Sequence, residues 1–189
     1  ELEEEERKAN GKLTVNARAI TIKAKDQSKA YDGSGLSADT TCEVTSGSVV
    51  SGHTLSCTST GSQTTIGSST KTLSTAKVMS GSTDVSSNYT ITKANGTLTV
   101  SARAITITAS NQSKDYDGSA LNADTTCASN ITLPSGHSLS CTSSGSQTTK
   151  GSSTKTLSTA KVMSGSTDMS GNYTITKANG TLTVSARAI

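Results

Sequence analysis

Asn88-Tyr-Thr-Ile-Thr-Lys-Ala-Asn-Gly-Thr-Leu-Thr-Val-Ser-Ala-Arg-Ala-Ile105 recurs letter for letter as Asn172–Ile189, and a reduced form stands at Lys8–Ile20. At its centre is Asn-Gly, the dipeptide that best tolerates the positive φ angles of a two-residue type I′ hairpin. Folding about Asn95-Gly96 would set Lys93 against Leu98, Ile91 against Val100 and Tyr89 against Ala102. The apolar residues would then share one face of both strands, so turn chemistry and period-2 alternation predict a β-hairpin here. Working outward, Arg18, Arg103 and Arg187 occupy equivalent places 85 and 84 residues apart. A period this long suits a string of small domains better than a solenoid, whose repeats run to about 20–50 residues. The chain divides into a partial preceding repeat over 1–17, complete repeats over 18–102 and 103–186, and the start of another at 187–189.

Leu13, Val15 and Ala17 alternate, and Ile20, Ile22 and Ala24 alternate on the opposite parity. The same slip separates Ala102 from Ile105. A one-residue slip turns the inward face over, so it marks either a bulge or a junction; the junction is preferred, with one repeat running almost directly into the next. Asp-Gly turns follow at Tyr31-Asp32-Gly33 and Tyr116-Asp117-Gly118. Thr40–Thr45 and His53–Thr60 read as strands. Within Gly67–Asp84, Leu73, Val78 and Met79 keep no single period, which predicts a bulged strand first and a short helix second. Asp84 is placed to accept backbone N–H groups of a capped turn. Glu4 and Glu6 stand where Tyr89 and Ile91 stand later, so the first copy lacks the apolar half of its hairpin. Because the chain begins and ends inside a repeat, it reads as an excerpt from a longer array.

Composition points to an all-β, extracellular chain. Ser, Thr and Gly dominate; there is no Trp or Phe, and only one Pro. Apolar residues make up 31%, so the core is thin, built from Ile, Leu, Val, Ala and four Tyr, and staples are expected. Cys42, Cys57, Cys127 and Cys141 fall two to a repeat at matching places, which favours disulfides and an oxidising compartment. Four cysteines allow three connectivities, and the repetition selects Cys42 with Cys57 and Cys127 with Cys141, on two neighbouring antiparallel strands. Zinc is the rival, but the close Cys-x-x-Cys spacing of structural zinc sites is missing. A net charge of +3 is too weak to argue for nucleic acid. No apolar run approaches the roughly 18–20 residues of a membrane span, so no membrane insertion is expected.

The ordered elements Ala-Ile-Thr-Ile-Thr-Ala, Lys-Asp-Tyr-Asp-Gly, Gly-Ser-Gln-Thr-Thr-Lys-Gly-Ser-Ser, Asp-Met-Ser-Gly-Asn-Tyr-Thr-Ile and Asn-Gly-Thr-Leu-Thr-Val resemble the YDG and MBG-type tandem repeats of large bacterial surface proteins. That resemblance covers both repeats. It implies an extracellular β-domain in a cell-surface array grouped with adhesins, some of them mucin-binding-like. It supplies no catalytic residue.

No constellation of catalytic residues stands out. His53 and His137 begin strands without a recognisable nucleophile and acid, and no Gly-x-Ser-x-Gly elbow exists. Asp26, Asp32, Asp39, Asp84, Asp117, Asp124 and Asp168 are spread over several loops, which suits turns and caps better than calcium. Lys93 and Lys177, placed by the expected hairpin on its apolar face, are the lysines to check for an isopeptide bond. Tyr31 and Tyr116 are the candidate glycan contacts, weighed against a role plugging the sheet end. The expected fold is therefore two tandem Ig-like β-sandwich domains in an elongated array, with β-grasp-like repeats as the alternative. The expected function is a non-enzymatic stalk of an adhesin without cofactors. Its partners would be neighbouring repeats; a module that itself grips mucin or glycan with avidity, and a strand-exchanging filament subunit, are the alternatives.

Overall fold

The computed structural model describes residues 10–188. Expectations for Glu1–Arg7, and for Ile189, lie outside them. The first repeat contains β1 (Arg18–Ala24), β2 (Gln27–Ala30), β3 (Leu36–Ser37), β4 (Cys42–Ser46), β5 (His53–Thr60), β6 (Ser62–Gln63), β7 (Gly67–Ser80), β8 (Thr83–Asp84), β9 (Tyr89–Ala94) and β10 (Gly96–Ser101). The second contains β11 (Arg103–Ala109), β12 (Gln112–Asp115), β13 (Leu121–Asn122), β14 (Cys127–Ser129), β15 (His137–Ser144), β16 (Ser146–Gln147), β17 (Gly151–Ser164), β18 (Thr167–Asp168), β19 (Tyr173–Ala178) and β20 (Gly180–Ser185). The chain is all-β, with two similar sheet-rich halves. The only helices among the described residues are single 3₁₀ turns at Ser86–Asn88 and Ser170–Asn172. None is long and apolar enough to cross a membrane.

Sheet order in the second repeat is β14-β11-β19 and β12-β20-β17-β15, with β18 turning back on β17. The first repeat carries the same pairings, and no sheet mixes strands of the two repeats. Ala102 alone separates β10 from β11. The described residues group into two compact units. One takes the residues up to Lys25 together with Asp39–Thr60 and Lys71–Gly96; the other takes Asp26–Ala38, Gly61–Thr70 and everything from Thr97. The first has a core of Ile20, Ile22, Ala24, Cys57, Leu73, Val78 and Tyr89. The second is built on Ile105, Ile107, Ala109, Leu157, Val162 and Tyr173, with Tyr31 and Val100 joining it.

The Asn-Gly hairpin is not formed. β9 pairs in parallel with β1, in register from Arg18 opposite Tyr89 to Lys23 opposite Ala94. β10 pairs in parallel with β2, from Leu98 opposite Gln27. Asn95-Gly96 is therefore a crossing from one sheet to another. A hairpin and a crossing both turn Tyr89, Ile91, Leu98 and Val100 inward, which is why alternation did not separate them. Each half of the dipeptide has a different task from the one expected. The side-chain carbonyls of Asn95 and Asn179 accept the N–H groups of Leu73 and Leu157, both at 3.0 Å. At Gly180 an added Cβ would collide with the Ala109 carbonyl oxygen, so close backbone approach demands glycine. Neither Gly96 nor Gly180 has positive φ.

The bulge expected in Gly67–Asp84 lies at Ser74: Thr58 opposes Thr75 and Ser59 opposes Leu73. A bulged residue falls out of the ladder and its carbonyl is freed. Lys93 Nζ donates to the Ser74 carbonyl at 2.8 Å, and Lys177 Nζ to that of Ser158 at 2.7 Å. Both lysines are exposed, which corrects their expected place on an apolar face. The equivalent of β10 in the first copy fails to form. Residues 10–17 are in no strand, and Leu13 and Val15 are 100% and 99% exposed.

Candidate functional site

Two devices tie separate segments of each repeat together. Cys42 and Cys57 form a disulfide, as do Cys127 and Cys141, and no described cysteine is free. The strands they join are not ladder neighbours: β4 pairs with β1 and β5 with β7, so each bond bridges two sheets. This corrects the expected placement on adjacent antiparallel strands. Two disulfides mark an oxidising environment. The second device is Lys71, with its counterpart Lys155, each wholly buried. Lys155 Nζ, on β17, donates to the Ser110 carbonyl at 3.0 Å, the Thr126 carbonyl at 3.3 Å and Thr126 Oγ1 at 3.1 Å, and pairs with Asp124. Lys71 makes the same set with Lys25, Thr41 and Asp39. A buried ammonium is tolerated only when paired and fully hydrogen-bonded, and this one is. The hydrogen bond from Lys71, helped by those from Thr41, lowers the Asp39 carboxyl to about 2; Lys155 and Thr126 do the same to Asp124. Sequence reading missed these lysines, although Lys71 shares the inward parity of Leu73.

All of the candidate aspartates except Asp26 accept the N–H two residues along the chain, as turn residues do. Asp32 Oδ1 accepts Ser34 N–H at 2.9 Å and Lys29 Nζ at 2.7 Å, and these bonds hold its carboxyl well below the usual range. Asp117 does the same with Ser119 and Lys114. Asp84 accepts Ser86 N–H at 3.0 Å, and Asp26 accepts Thr97 N–H at 2.9 Å. Among the described residues no three His, Cys, Asp or Glu side chains converge on a metal position.

The two Tyr-Asp-Gly tyrosines part company. Tyr31 is 2% exposed, and its N–H donates to the Ser101 carbonyl at 2.8 Å. Its ring lies edge-on to Tyr173, centroids 5.5 Å apart, and stacks over His137 at 6.4 Å. A ring so enclosed is closed to a sugar, which removes Tyr31 as a glycan contact. Tyr116 remains 44% exposed. Around this joint, Gly33 meets Pro134, and Ile66 N–H donates to Asn172 Oδ1 at 3.4 Å. The turn of one repeat thus seats on the β15 and β19 end of the next, within one compact unit.

His53 and His137 are half-buried. In the first unit Tyr89 Oη receives the Val50 N–H at 3.0 Å and lies 2.8 Å from His53 Nδ1. In the second, the residue in Val50's place is Pro134, which has no N–H. Tyr173 Oη and His137 Nδ1 are then buried without a hydrogen-bond partner among the described residues. Burial also pushes the Tyr173 hydroxyl up from its ordinary pKa. Comparison of the chain with protein-family models, with curated proteins and with solved structures found no match.

Proposed function

We propose that the chain is a structural spacer from a bacterial cell-surface adhesin, with repeats 18–102 and 103–186 as Ig-like sandwich units that carry tension. The observation that carries this reading is where a pulling load would enter and leave a repeat. In the second repeat the load enters at Arg103, the first residue of β11, and leaves at Ser185, the last of β20. Both strands are flanked on each side, β11 by β14 and β19, β20 by β12 and β17. A pull along such a strand loads both ladders at once, whereas a pull across an edge strand opens its hydrogen bonds one after another. Cys127–Cys141 adds a tie between two sheets, and the Lys155 cluster ties β17 to Ser110, Asp124 and Thr126 in the segments between strands. The β-grasp alternative requires a helix packed across a sheet, and the described residues hold only two 3₁₀ turns. The YDG/MBG resemblance and the oxidising environment support placement at the cell surface.

Single-molecule force spectroscopy tests this. Pulling through the chain ends should need a clearly higher unfolding force than pulling through a handle at Ser48, beyond the end of β4. Under oxidising conditions each repeat should release about 5 nm less length than when reduced, because its disulfide locks a loop of about 15 residues. Equal forces in the two pulling directions would refute the load-bearing reading. Mucin pull-down that scales with repeat number would replace it with a binding module.

A further inference from the structure

A free sheet edge is a template for pairing with another chain, and most edges here are blunted by shortness or charge. In the second repeat β14 has three residues, β12 has four with Lys114 and Asp115 among them, and β19 carries Lys177. In the first repeat β2 carries Lys29, β4 Glu43 and β9 Lys93. The exceptions are β15 and its counterpart β5. Each runs for eight residues without Lys, Arg, Asp, Glu or Pro. Among the described residues β15 has only β17 beside it, and β5 only β7. β5 keeps its edge with a complete repeat following it, and β15 keeps its edge with a complete repeat preceding it. The open edge therefore belongs to the repeat itself.

The far side of the ladder shows which backbone groups line that edge. Val162, opposite Leu139, sends its N–H to Ser170 Oγ at 3.0 Å, and its carbonyl accepts Met169 N–H at 2.8 Å. Leu157, opposite Ser143, sends its N–H to Asn179 Oδ1. In an antiparallel ladder the residues of such a pair face away from each other, so Leu139, Cys141 and Ser143 aim N–H and C=O outward from the sheet. Both ends of the row are closed: His137 N–H donates to the Pro134 carbonyl and Ala123 N–H to the Gly145 carbonyl, each at 3.0 Å. On β5, Leu55 and Ser59 oppose Val78 and Leu73, whose N–H groups go to Ser86 Oγ and Asn95 Oδ1, so the same row recurs.

We infer that the β15 edges of two copies of this chain pair antiparallel about a two-fold axis at Cys141. The partner is fixed by self-complementarity. A two-fold there sets Leu139 opposite Ser143 and Cys141 opposite itself, so every outward residue of the row exchanges its N–H and C=O with a residue of the other copy. On the exposed face the same register sets Ser138 opposite Ser144 and Ser140 opposite Thr142. Hydroxyl meets hydroxyl there, and no like charges oppose each other. A shift of two residues either way would bring in the His137 N–H or the Gly145 carbonyl, which are already bonded. The contact is isologous and closed, and it makes one continuous sheet across the two copies. It stands on the ladder geometry and not on the spacer reading.

Disulfide trapping tests it on the full chain, whose described cysteines are all paired already. Ser140→Cys and Thr142→Cys put thiols at exposed positions that the pairing sets opposite each other. When the two variants are mixed in equal amounts and oxidised gently, random collision gives as much mixed dimer as the two like dimers combined. Pairing should raise the mixed dimer several-fold above that, as read by intact mass. Ser138 and Ser144 are exposed too, so charges placed there probe the register from the surface. Ser138→Lys with Ser144→Lys in both chains sets like charges opposite each other and should cut the excess several-fold. Ser138→Lys with Ser144→Glu in both chains sets opposite charges together and should keep it. A random ratio in the parent pair would overturn the inference, and so would an excess that is the same under both charge patterns.

Discussion

Tyr31→Ala and Tyr116→Ala are the same change in the same motif, 85 residues apart. By repetition alone they should have equal effects. The structure makes them unequal, because Tyr31 is 2% exposed and Tyr116 is 44% exposed. For a ring with about 200 Å² to bury, that difference corresponds to about 85 Å². At about 25 cal/mol per Å² it is worth about 2 kcal/mol. The edge-on contact of Tyr31 with Tyr173 adds about 0.5–1.5 kcal/mol. Tyr31→Ala should therefore destabilise the second unit by about 2.5–3.5 kcal/mol more than Tyr116→Ala does. Urea unfolding followed by far-UV circular dichroism measures the difference. Amide exchange should place the loss of protection from Tyr31→Ala on β15 and β19. Equal destabilisation by the two variants, or loss of protection confined to the first unit, would refute the account of the joint.

Val50→Pro should cost about 1 kcal/mol, since it copies Pro134 and removes the N–H that Tyr89 Oη accepts; unchanged stability would show that the donor contributes nothing. Lys155→Met keeps the buried stem but strands the Ser110 and Thr126 carbonyls, for a loss of about 2–4 kcal/mol in denaturant titration. Its acid limb should change as well. Asp124 titrates at about 2 in the folded protein, chiefly because Lys155 hydrogen-bonds it, against an ordinary 3.8. A lowered carboxyl pKa contributes stability that is present above about pH 4 and is lost as pH falls toward 2. In Lys155→Met the Asp124 midpoint, followed by NMR, should rise toward its ordinary value, and a midpoint left at about 2 would contradict the pairing. Reducing the disulfides, which close loops of 15 and 14 residues, should cost about 3 kcal/mol in each repeat, measured by unfolding with and without reductant.

Much of the strand inventory was legible because a strand's burial has period 2. Ile20, Ile22 and Ala24, and then Leu98 and Val100, announce their inward faces in the sequence. The irregular spacing in Gly67–Asp84 announced the bulge at Ser74, and Asp-Gly announced the positive φ of Gly33 and Gly118. The cysteine pairing could be read from two cysteines per repeat, but which sheets they join could not. Asn95-Gly96 shows the limit most clearly. Its chemistry suits a tight hairpin, yet the same residues serve a crossing in which Asn95 supplies an acceptor and glycine a gap. Lys71 reads as a surface lysine until its strand is placed against Asp39 and Thr41.

The repeat length, the strand faces, the turns and the cysteine count follow from local rules, because each depends on residues a few positions apart or on exact repetition. Partnership does not. That β9 lies beside β1 and β10 beside β2, that Lys71 is enclosed, and that Tyr31 is buried while Tyr116 is open all depend on segments brought together from afar. Two identical tyrosines in identical motifs differ only in what the folded chain sets against them.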